Sequence, residues 1–590
     1  MSNRYDTVVV GAGLGGCSAA AHLAALGHQV LLVERYTAIG GSSHVFRRQG
    51  RWEFDCGVHY VGDCGPGGQV PTLLRGLGLD DRIEWLPLER SGFDTIVAPG
   101  AEVRVPVGWD TFERNLLDTF PEDRRGLRRV VSVLRRLGES LDRGSDPGSV
   151  TAFGRAVARA GRAAPFALAP YVSLLVAAGL RPRTMLAMSV QNGTQAATPT
   201  TLSTLGHAAF LENYVGRGAY YPRGGGQMLA AGFAEVIRSH GGEIRTGTGV
   251  DRILVENRQV TGVRLESGET VRASTVVSAM DVLRTFRELI GPEHLPAATR
   301  ARVRSWTMSQ PLINGFFGVD LDLSAAPNTN HFVIPEWDDL TSLTALKRLG
   351  DRLIGGRGHT DGPAWAREFA RSQPMFVQSS SRRDPSNRRA APAQHATIEV
   401  QTIAPADPAL WGFDGADVRS GGYRNDPRYR EIKKIVLDGM LERMERAYPG
   451  SSGRVRLAEL GTPATQERFV GNTAGAPFGL APSPTQTGPM RPGPATPIRG
   501  LYLAGTSTPW GPATEGSMVS GLQAAAAITG RDLLAEVRAG AVLADRSLMS
   551  AWPDDFDPLA AGRGPATRQT ASNSVDPSPS ASSVDRTSPV

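Results

Sequence analysis

The chain has 590 residues, of which 41% are hydrophobic and 21% charged, a length that allows roughly two to four domains and a substantial core. Its formal charge of +6 rests on arginine, with lysine only at Lys347, Lys433 and Lys434, so the charge reads as compositional bias and no nucleic-acid partner is expected. Cys17, Cys56 and Cys64 have neither metal-site nor redox-pair spacing, no metal is expected, and no run of 18 apolar residues offers a membrane span, which together suggest a reducing, cytoplasmic setting.

The first predicted elements are a strand over residues 7–10, a helix over 15–25 and a strand over 29–33 that ends in an acid, Glu34. Glycines at 11, 13, 15 and 16 would ruin the apolar helix of a signal peptide, but they suit a strand that turns sharply into a helix. Gly11, Gly13 and Gly16 have the spacing G-x-G-x-x-G. In such a βαβ unit the first glycine allows the tight turn, the second admits a pyrophosphate to the backbone, and the third lets the helix lie against the strand. The helix start at Leu14 and Gly15 then directs free N–H groups at an anion. Glu34, with Arg35 beside it, follows at about the 20-residue distance from which a carboxylate reaches an adenosine ribose.

A Gly-Gly turn at Gly40, Gly41 and Ser42 leads into short strands and the polar pair His59 and Tyr60 in "CGVHYVG". Residues 109–212 read as helical. They contain the basic amphipathic stretch "RRGLRRVVSVLRRLGESL" and an apolar run broken by Pro165 and Pro170, a combination open to two readings: contact with a membrane surface, or ordinary packing with a solvated arginine face. From about residue 213 a turn and a helix precede strands with period-two alternation and turns at Asn257-Arg258 and Ser267-Gly268. Residues 306–430 mix strands with a long polar insertion, and a helix over 431–448 stops at Pro449-Gly450. A last strand, a Gly-rich loop over 505–516 and a helix from about Ser517 follow; from about Arg546 the Ser, Pro, Thr and Asp content predicts a disordered tail. The expected division is a nucleotide-binding domain in three pieces (1–108, 213–305 and 461–545), a helical substrate or membrane-facing subdomain (109–212), a substrate domain (306–460) and the tail (546–590).

The stretches "GGSSHVFRRQGRWEFDCGVHYVG", "AYYPRGGG", "SSSRRDPSNRRAAPAQHATIEVQTIAP", "TPATQERFVGNTAGAPFG" and "LYLAGTSTPWGPATEGSMVSGLQAA", in this order, resemble the flavin-dependent phytoene desaturase, carotenoid isomerase and retinol saturase group of amine oxidase-like flavoproteins. The likeness runs over roughly residues 6–531. It implies an α/β fold in which a Rossmann-type FAD-binding domain is interleaved with a mixed-sheet and helical substrate domain. It also implies FAD as the cofactor. Carried over by position, Gly11, Gly13, Leu14, Gly15, Gly16, Glu34 and Arg35 would hold the ADP half, Gly40, Gly41 and Ser42 the approach to the flavin, and Val250 the adenine. Gly505, Thr506, Glu515, Ser517 and Met518 would surround the ribityl chain and ring, the helix dipole favouring negative charge on reduced flavin. Thr506 and Ser507 stand where many such proteins carry an acid.

The activity implied is desaturation or saturation of carbon-carbon bonds in a long apolar substrate such as a carotenoid precursor, retinoid, polyene or lipid. Redox-neutral double-bond isomerisation is the alternative within the family; an amine oxidase, for which no aromatic cage is apparent, and a cofactor-less lipid carrier are further alternatives. His59 and Tyr60 are the catalytic candidates, either moving a proton or packing beneath the flavin. The partners expected are an apolar small molecule or lipid and a membrane surface; the electron partner is not indicated.

Overall fold

The computed structural model describes residues 4–141, 146–337, 361–415 and 418–564. Most of the polar insertion expected within 306–430, residues 338–360, and the tail beyond Gly564 lie outside the described residues. Five strands and five helices position the site: β1 (Arg4–Val10), β2 (Val30–Val33), β3 (Thr270–Ser278), β4 (Met375–Gln378) and β5 (Ala396–Ile403), with α1 (Leu14–Ala25), α2 (Arg124–Ser140), α3 (Gln227–Ser239), α4 (Pro427–Ala447) and α5 (Ala513–Thr529).

The fold is α/β and is built on two seven-stranded sheets. In the first, β1 lies between β2 and β3, parallel to both. Burial on both faces explains why Val8, Val9 and Val10 do not alternate with polar residues. Glu243–Arg245 extends the sheet beyond β2, Gln259–Leu265 and Val250–Glu256 extend it beyond β3, and Leu501–Leu503 adds in parallel to β3. Segments from the start, middle and end of the chain therefore share one sheet. The hairpin at Asn257-Arg258 has both turn residues at positive φ (49° and 58°), the twist that suits a two-residue loop between antiparallel strands.

On one face of this sheet α1 packs against both α3 and α5. Its contact with α5 needs glycine at Gly521, where a Cβ would stand 2.3 Å from the Gly15 carbonyl oxygen, and glycine at Gly15 lets the loop before α5 come close, since a Cβ there would stand 2.7 Å from the Gly505 nitrogen.

The second sheet is mixed, in the order Val455–Gly461, Leu312–Val319, β5, β4, Asn330–Val333, Asp94–Ala98, Ala101–Val105. Asp94–Ala98 and Ala101–Val105 thus leave the 1–108 piece to which the sequence assigned them, because Asp94–Ala98 pairs in parallel with Asn330–Val333. That pairing joins residues 236 apart in the chain (330 − 94) and has no local signature. α4 packs beside the helix Gly362–Ser372 and buries Ile432, Val436, Met440 and Met444, a stripe at helical spacing. It starts at Pro427 and not at the expected residue 431, because the Asp426 side chain caps it by accepting from the Arg428 N–H.

The helical layer contains α2, which buries Leu127, Val130, Val131, Leu134 and Leu137 and exposes Arg124, Arg125, Arg128 and Arg129. No helix among the described residues is long and apolar enough to cross a membrane.

The disorder expected from Arg546 does not begin there. Arg47 pairs bidentately with Asp557 at 2.7 and 2.8 Å, Trp552 stacks on Phe556 with ring centroids 4.1 Å apart, and the short helix Pro558–Ala561 packs on α3. The Gly562 carbonyl accepts from the Ile39 N–H at 2.9 Å. A few apolar anchors and one ion pair suffice to dock a segment whose average composition is polar.

Candidate active site

The strand-to-helix turn after β1 holds its shape through glycine. Gly11 sits at φ +92°, a region that favours glycine, and a Cβ on Gly16 would stand 2.0 Å from the Gly11 carbonyl oxygen. Gly13 is different. At φ −65° any residue could stand there, and a Cβ would meet nothing within 4 Å. The space it would fill is part of a cavity of about 510 Å³. α1 opens onto that space with no side-chain cap and no acid in its first turn, leaving its N–H groups and positive dipole end for an anion.

Glu34, at the end of β2, also lines the cavity. Its carboxylate accepts from the Ala12 N–H at 2.7 Å and the Tyr36 N–H at 2.8 Å. Burial raises its pKa while those two N–H groups oppose the rise. With about four lone-pair positions on a carboxylate, two remain for hydroxyl donors. Arg35 donates to the Arg468 carbonyl at 2.9 Å and lines the same wall. Gly40 donates to the Ala12 carbonyl at 2.7 Å, and a Cβ on Gly41 would stand 2.8 Å from Gly13 Cα, so the Gly-Gly turn lies directly against the first loop, with Ser42 beside it on the cavity wall.

The C-terminal loop closes another side. Gly505 donates to Ser520 Oγ at 2.6 Å, and Gly505 and Thr506 line the cavity. α5 begins at Ala513, four residues before the expected Ser517, so Glu515 and Ser517 fall within its first two turns and face the cavity. Glu515 accepts from the Asn213 side-chain amide at 3.1 Å. Sequence reasoning missed Arg491. This buried arginine donates to the carbonyls of Gln486, Leu480 and Thr506 at 2.6–2.7 Å and so braces the loop; burial lowers its pKa to about 10. An isolated arginine in a Pro/Gly-rich stretch carries no local pattern that would have marked it.

Three of the candidate cofactor residues are not on the cavity wall. Gly16 serves the strand-helix contact, Met518 is fully buried in the core under α5, and Val250 opens an edge strand of the first sheet. The other candidates are brought together around one cavity from segments almost 500 residues apart.

The remaining wall is aromatic. The Tyr60 and Tyr214 rings have centroids 4.6 Å apart, Phe376 on β4 lies 6.0 Å from Tyr60 in a stacked arrangement, and Phe210 lies 4.7 Å from Tyr214. Phe210 and Tyr214 stand one turn apart where the helix Thr204–Leu211 passes into a π-helical turn at Glu212–Gly216. Their i, i+4 spacing was visible in the sequence; the arrival of Phe376 across the sheet was not. The rings form a continuous wall in mutual contact.

His59 is 5% exposed and lines the cavity. Its Nδ1 accepts from the Gln378 side-chain amide at 3.0 Å. Burial, with a contribution from the Arg383 charge, pushes its pKa down to about 3, so the ring is neutral near pH 7. Burial likewise raises the Tyr60 phenol well above its usual range.

A glycine-rich βαβ turn, a buried carboxylate after its second strand and a second glycine-rich loop, all opening on one cavity with an aromatic wall, are the arrangement of a flavoprotein oxidoreductase. The chain belongs to the flavin containing amine oxidoreductase family, whose model matches residues 14–330 and 422–529. It is 25% identical over 535 residues to the all-trans-retinol 13,14-reductase of Danio rerio, covering 85% of this chain and 82% of that protein. It is 24% identical over 536 residues to the chloroplastic prolycopene isomerase 1 of an Oncidium hybrid cultivar, covering 86% and 80%. Among solved structures it shares the fold of cyclohexylamine oxidase from Brevibacterium oxydans, with a TM-score of 0.57, 19% identity and coverage of 89% and 99%.

Proposed function

We propose that the protein binds FAD and adds or removes hydrogen across carbon-carbon double bonds of a long apolar polyene. The observation that carries this reading is that one cavity is lined both by Gly13, Glu34 and the start of α1 and by Tyr60, Tyr214 and Phe376. Gly13 and the α1 N-terminus would take the diphosphate, Glu34 the ribose, and the loop at Gly505-Thr506 with Glu515 and Ser517 the flavin end. The bound flavin would supply the hydride donor or acceptor. The chain's own part is to lay the polyene along the aromatic wall and to exclude water. His59, neutral at working pH, would hold a hydrogen bond at the reacting end, and Tyr60 would give a ring face for the chain to rest on.

Redox-neutral isomerisation is a second reading, favoured by nearly equal similarity to a protein named as a reductase and one named as an isomerase. A membrane supply of substrate fits the helical layer. Leu168 (43% exposed) and Val176 (53%) stand out from it, and Arg129 joins α2 to that surface by donating to the Ala177 carbonyl and lying over the Phe166 ring. These exposed apolar side chains, with the arginines of α2 beside them, would rest on an anionic lipid surface.

Mass analysis of the extracted chromophore tests FAD. Anaerobic incubation of the reduced and the oxidised enzyme with candidate polyenes then tests the chemistry: gain, loss or relocation of double bonds separates the three outcomes, and no change with any polyene would sink the reading. Co-sedimentation with anionic but not neutral vesicles tests the membrane contact.

A further inference from the structure

His59 comes from the loop before Val61 and meets β4 and β5 of the second sheet, where a chain of buried polar groups runs away from the cavity. The Gln378 amide nitrogen donates one hydrogen to His59 Nδ1 at 3.0 Å and the other to Glu399 Oε2 at 2.6 Å, shared with Ser380 Oγ at 3.3 Å, while the amide oxygen is buried without a partner among the described residues. Ser380 Oγ donates to the other Glu399 oxygen at 2.9 Å. Gln378 is 0% exposed and Glu399 1%.

The chemistry of the groups fixes their orientation. An NH₂ group needs acceptors for both its hydrogens, and the described residues supply them only on the side of Glu399, Ser380 and His59, so that side takes the NH₂ end of Gln378. A carboxamide NH₂ can only donate, so it selects the bare nitrogen of the imidazole at Nδ1. The single ring proton of a neutral histidine must then sit on Nε2. That nitrogen is buried without a hydrogen-bond partner among the described residues, on a side chain that lines the cavity.

We propose that Gln378 and Glu399 are positioning residues that hold His59 in its Nε2–H form, so that the cavity wall presents a neutral hydrogen-bond donor to an acceptor atom of the bound flavin or substrate. The proposal deepens the assignment of this cavity as the reaction site and rests on it.

The electrostatics agree. The charged and titratable groups that face the relay are Arg383, which acts on both His59 and Glu399, Asp55, which acts on Glu399, and Tyr221, Tyr448 and Cys56, each of which feels the Glu399 charge. Tyr221 is held by Asp55, which also accepts from the Gly226 N–H at 2.9 Å. Burial pushes Glu399 up to about 8, with the Asp55 charge adding to the rise. A protonated Glu399 keeps the same arrangement, since its carbonyl oxygen still accepts from Gln378 while its hydroxyl turns to Ser380. Proton uptake at His59 is disfavoured both by the Gln378 N–H that donates to its Nδ1 and by the nearby Arg383 guanidinium.

The test uses the flavin-loaded enzyme labelled with ¹⁵N-histidine, the His59 signal being identified by its loss in His59→Gln. The expected spectrum has the proton on Nε2 and does not titrate from about pH 5 to 8. In Gln378→Glu the new carboxyl group can receive a hydrogen bond from Nδ1, so the ring should move its proton to Nδ1 or become doubly protonated. A parent His59 that carries its proton on Nδ1, or that titrates near its ordinary pKa, overturns the proposal, and this readout needs no variant beyond the one used for identification.

Turnover gives a second arm. Gln378→Met and His59→Gln should each slow the reaction, by up to about tenfold for one lost neutral hydrogen bond, and the double variant should be no slower than His59→Gln alone. Losses that multiply would refute action through His59. Flavin absorption that shifts in His59→Gln without substrate assigns the acceptor to flavin; an unchanged spectrum with a raised KM assigns it to substrate. A His59→Gln enzyme with neither a shifted spectrum nor a raised KM would overturn the proposal. Because the ring-nitrogen spectrum needs no substrate, a wrong substrate class leaves this arm standing, whereas the wrong tautomer with the right products removes this inference alone.

Discussion

Gly13 and Gly16 lie three residues apart in one motif, yet they should fail in opposite ways. In Gly13→Ala the new Cβ meets nothing within 4 Å and the backbone at φ −65° suits alanine, so the protein without flavin should fold nearly as well as the parent. The cost at a helix N-cap is about 0.5–1 kcal/mol, a melting shift of a few degrees at most. The methyl group does occupy the space into which a diphosphate must come to reach the helix N–H groups. Losing two charge-assisted hydrogen bonds at about 1.5–3 kcal/mol each weakens flavin binding by about 10²- to 10⁴-fold. In Gly16→Ala the Cβ would stand 2.0 Å from the Gly11 carbonyl oxygen, a backbone atom held by β1. Helix propensity gains about 1 kcal/mol, but overpacking against a backbone costs about 1–3 kcal/mol or more, so the flavin-free protein should melt below the parent. Flavin absorbance per chain and melting with and without added FAD separate the two. Full flavin retention in Gly13→Ala, or a flavin-free Gly13→Ala that melts far below the parent, would refute the assignment of this turn.

Glu399 offers a pH test. Its folded pKa of about 8 lies above the ordinary carboxyl value, so its contribution is fully present below about pH 4.5 and is lost as pH rises through 8. Stability of the parent relative to Glu399→Gln should therefore fall between about pH 5 and 8.5 by an amount of the order of 3–5 kcal/mol, read by urea melts; a flat difference would count against it. The buried histidines His22, His59, His207 and His331 are pushed down to about 3–4 and act below pH 6.5, with opposite sign, in both proteins. Truncation after Gly564 should leave flavin content and melting unchanged, whereas truncation after Asp545 removes the Asp557 pair with Arg47 and the buried Leu559, and should cost about 2–4 kcal/mol; equal melting of the two would show that the docked segment contributes nothing. Arg491→Met leaves the carbonyls of Leu480, Gln486 and Thr506 without their donor, so thermolysin should cut the 505–512 loop faster and flavin should be retained less well; protease resistance equal to the parent would show that the arginine does not brace the loop.

What could be read from the chain alone was local. The βαβ unit, the glycine spacing and Glu34 are specified by groups within one supersecondary unit, where a single turn and its flanking periodicity decide the geometry, and the Asn257-Arg258 hairpin and the buried stripe of α4 are legible for the same reason. The glycine motif also predicts different roles for Gly13 and Gly16, but the open space at the first and the Gly11 carbonyl against the second are visible only in the tertiary structure. Everything that depends on distant pairing had to wait for the tertiary structure. Asp94–Ala98 joined the second sheet through Asn330–Val333, Phe376 reached Tyr60 from a strand 316 residues away (376 − 60), and the polar tail docked through Asp557 and Leu559. His59 is the sharpest instance. The sequence marks it as a histidine near a flavin motif, with a proton to give or take; the fold buries it, sets Gln378 and Glu399 behind it and lowers its pKa to about 3. Its protonation state is a property of the low-dielectric surroundings and the hydrogen-bond partners that three separate segments bring together, and no local pattern in the chain carries that information.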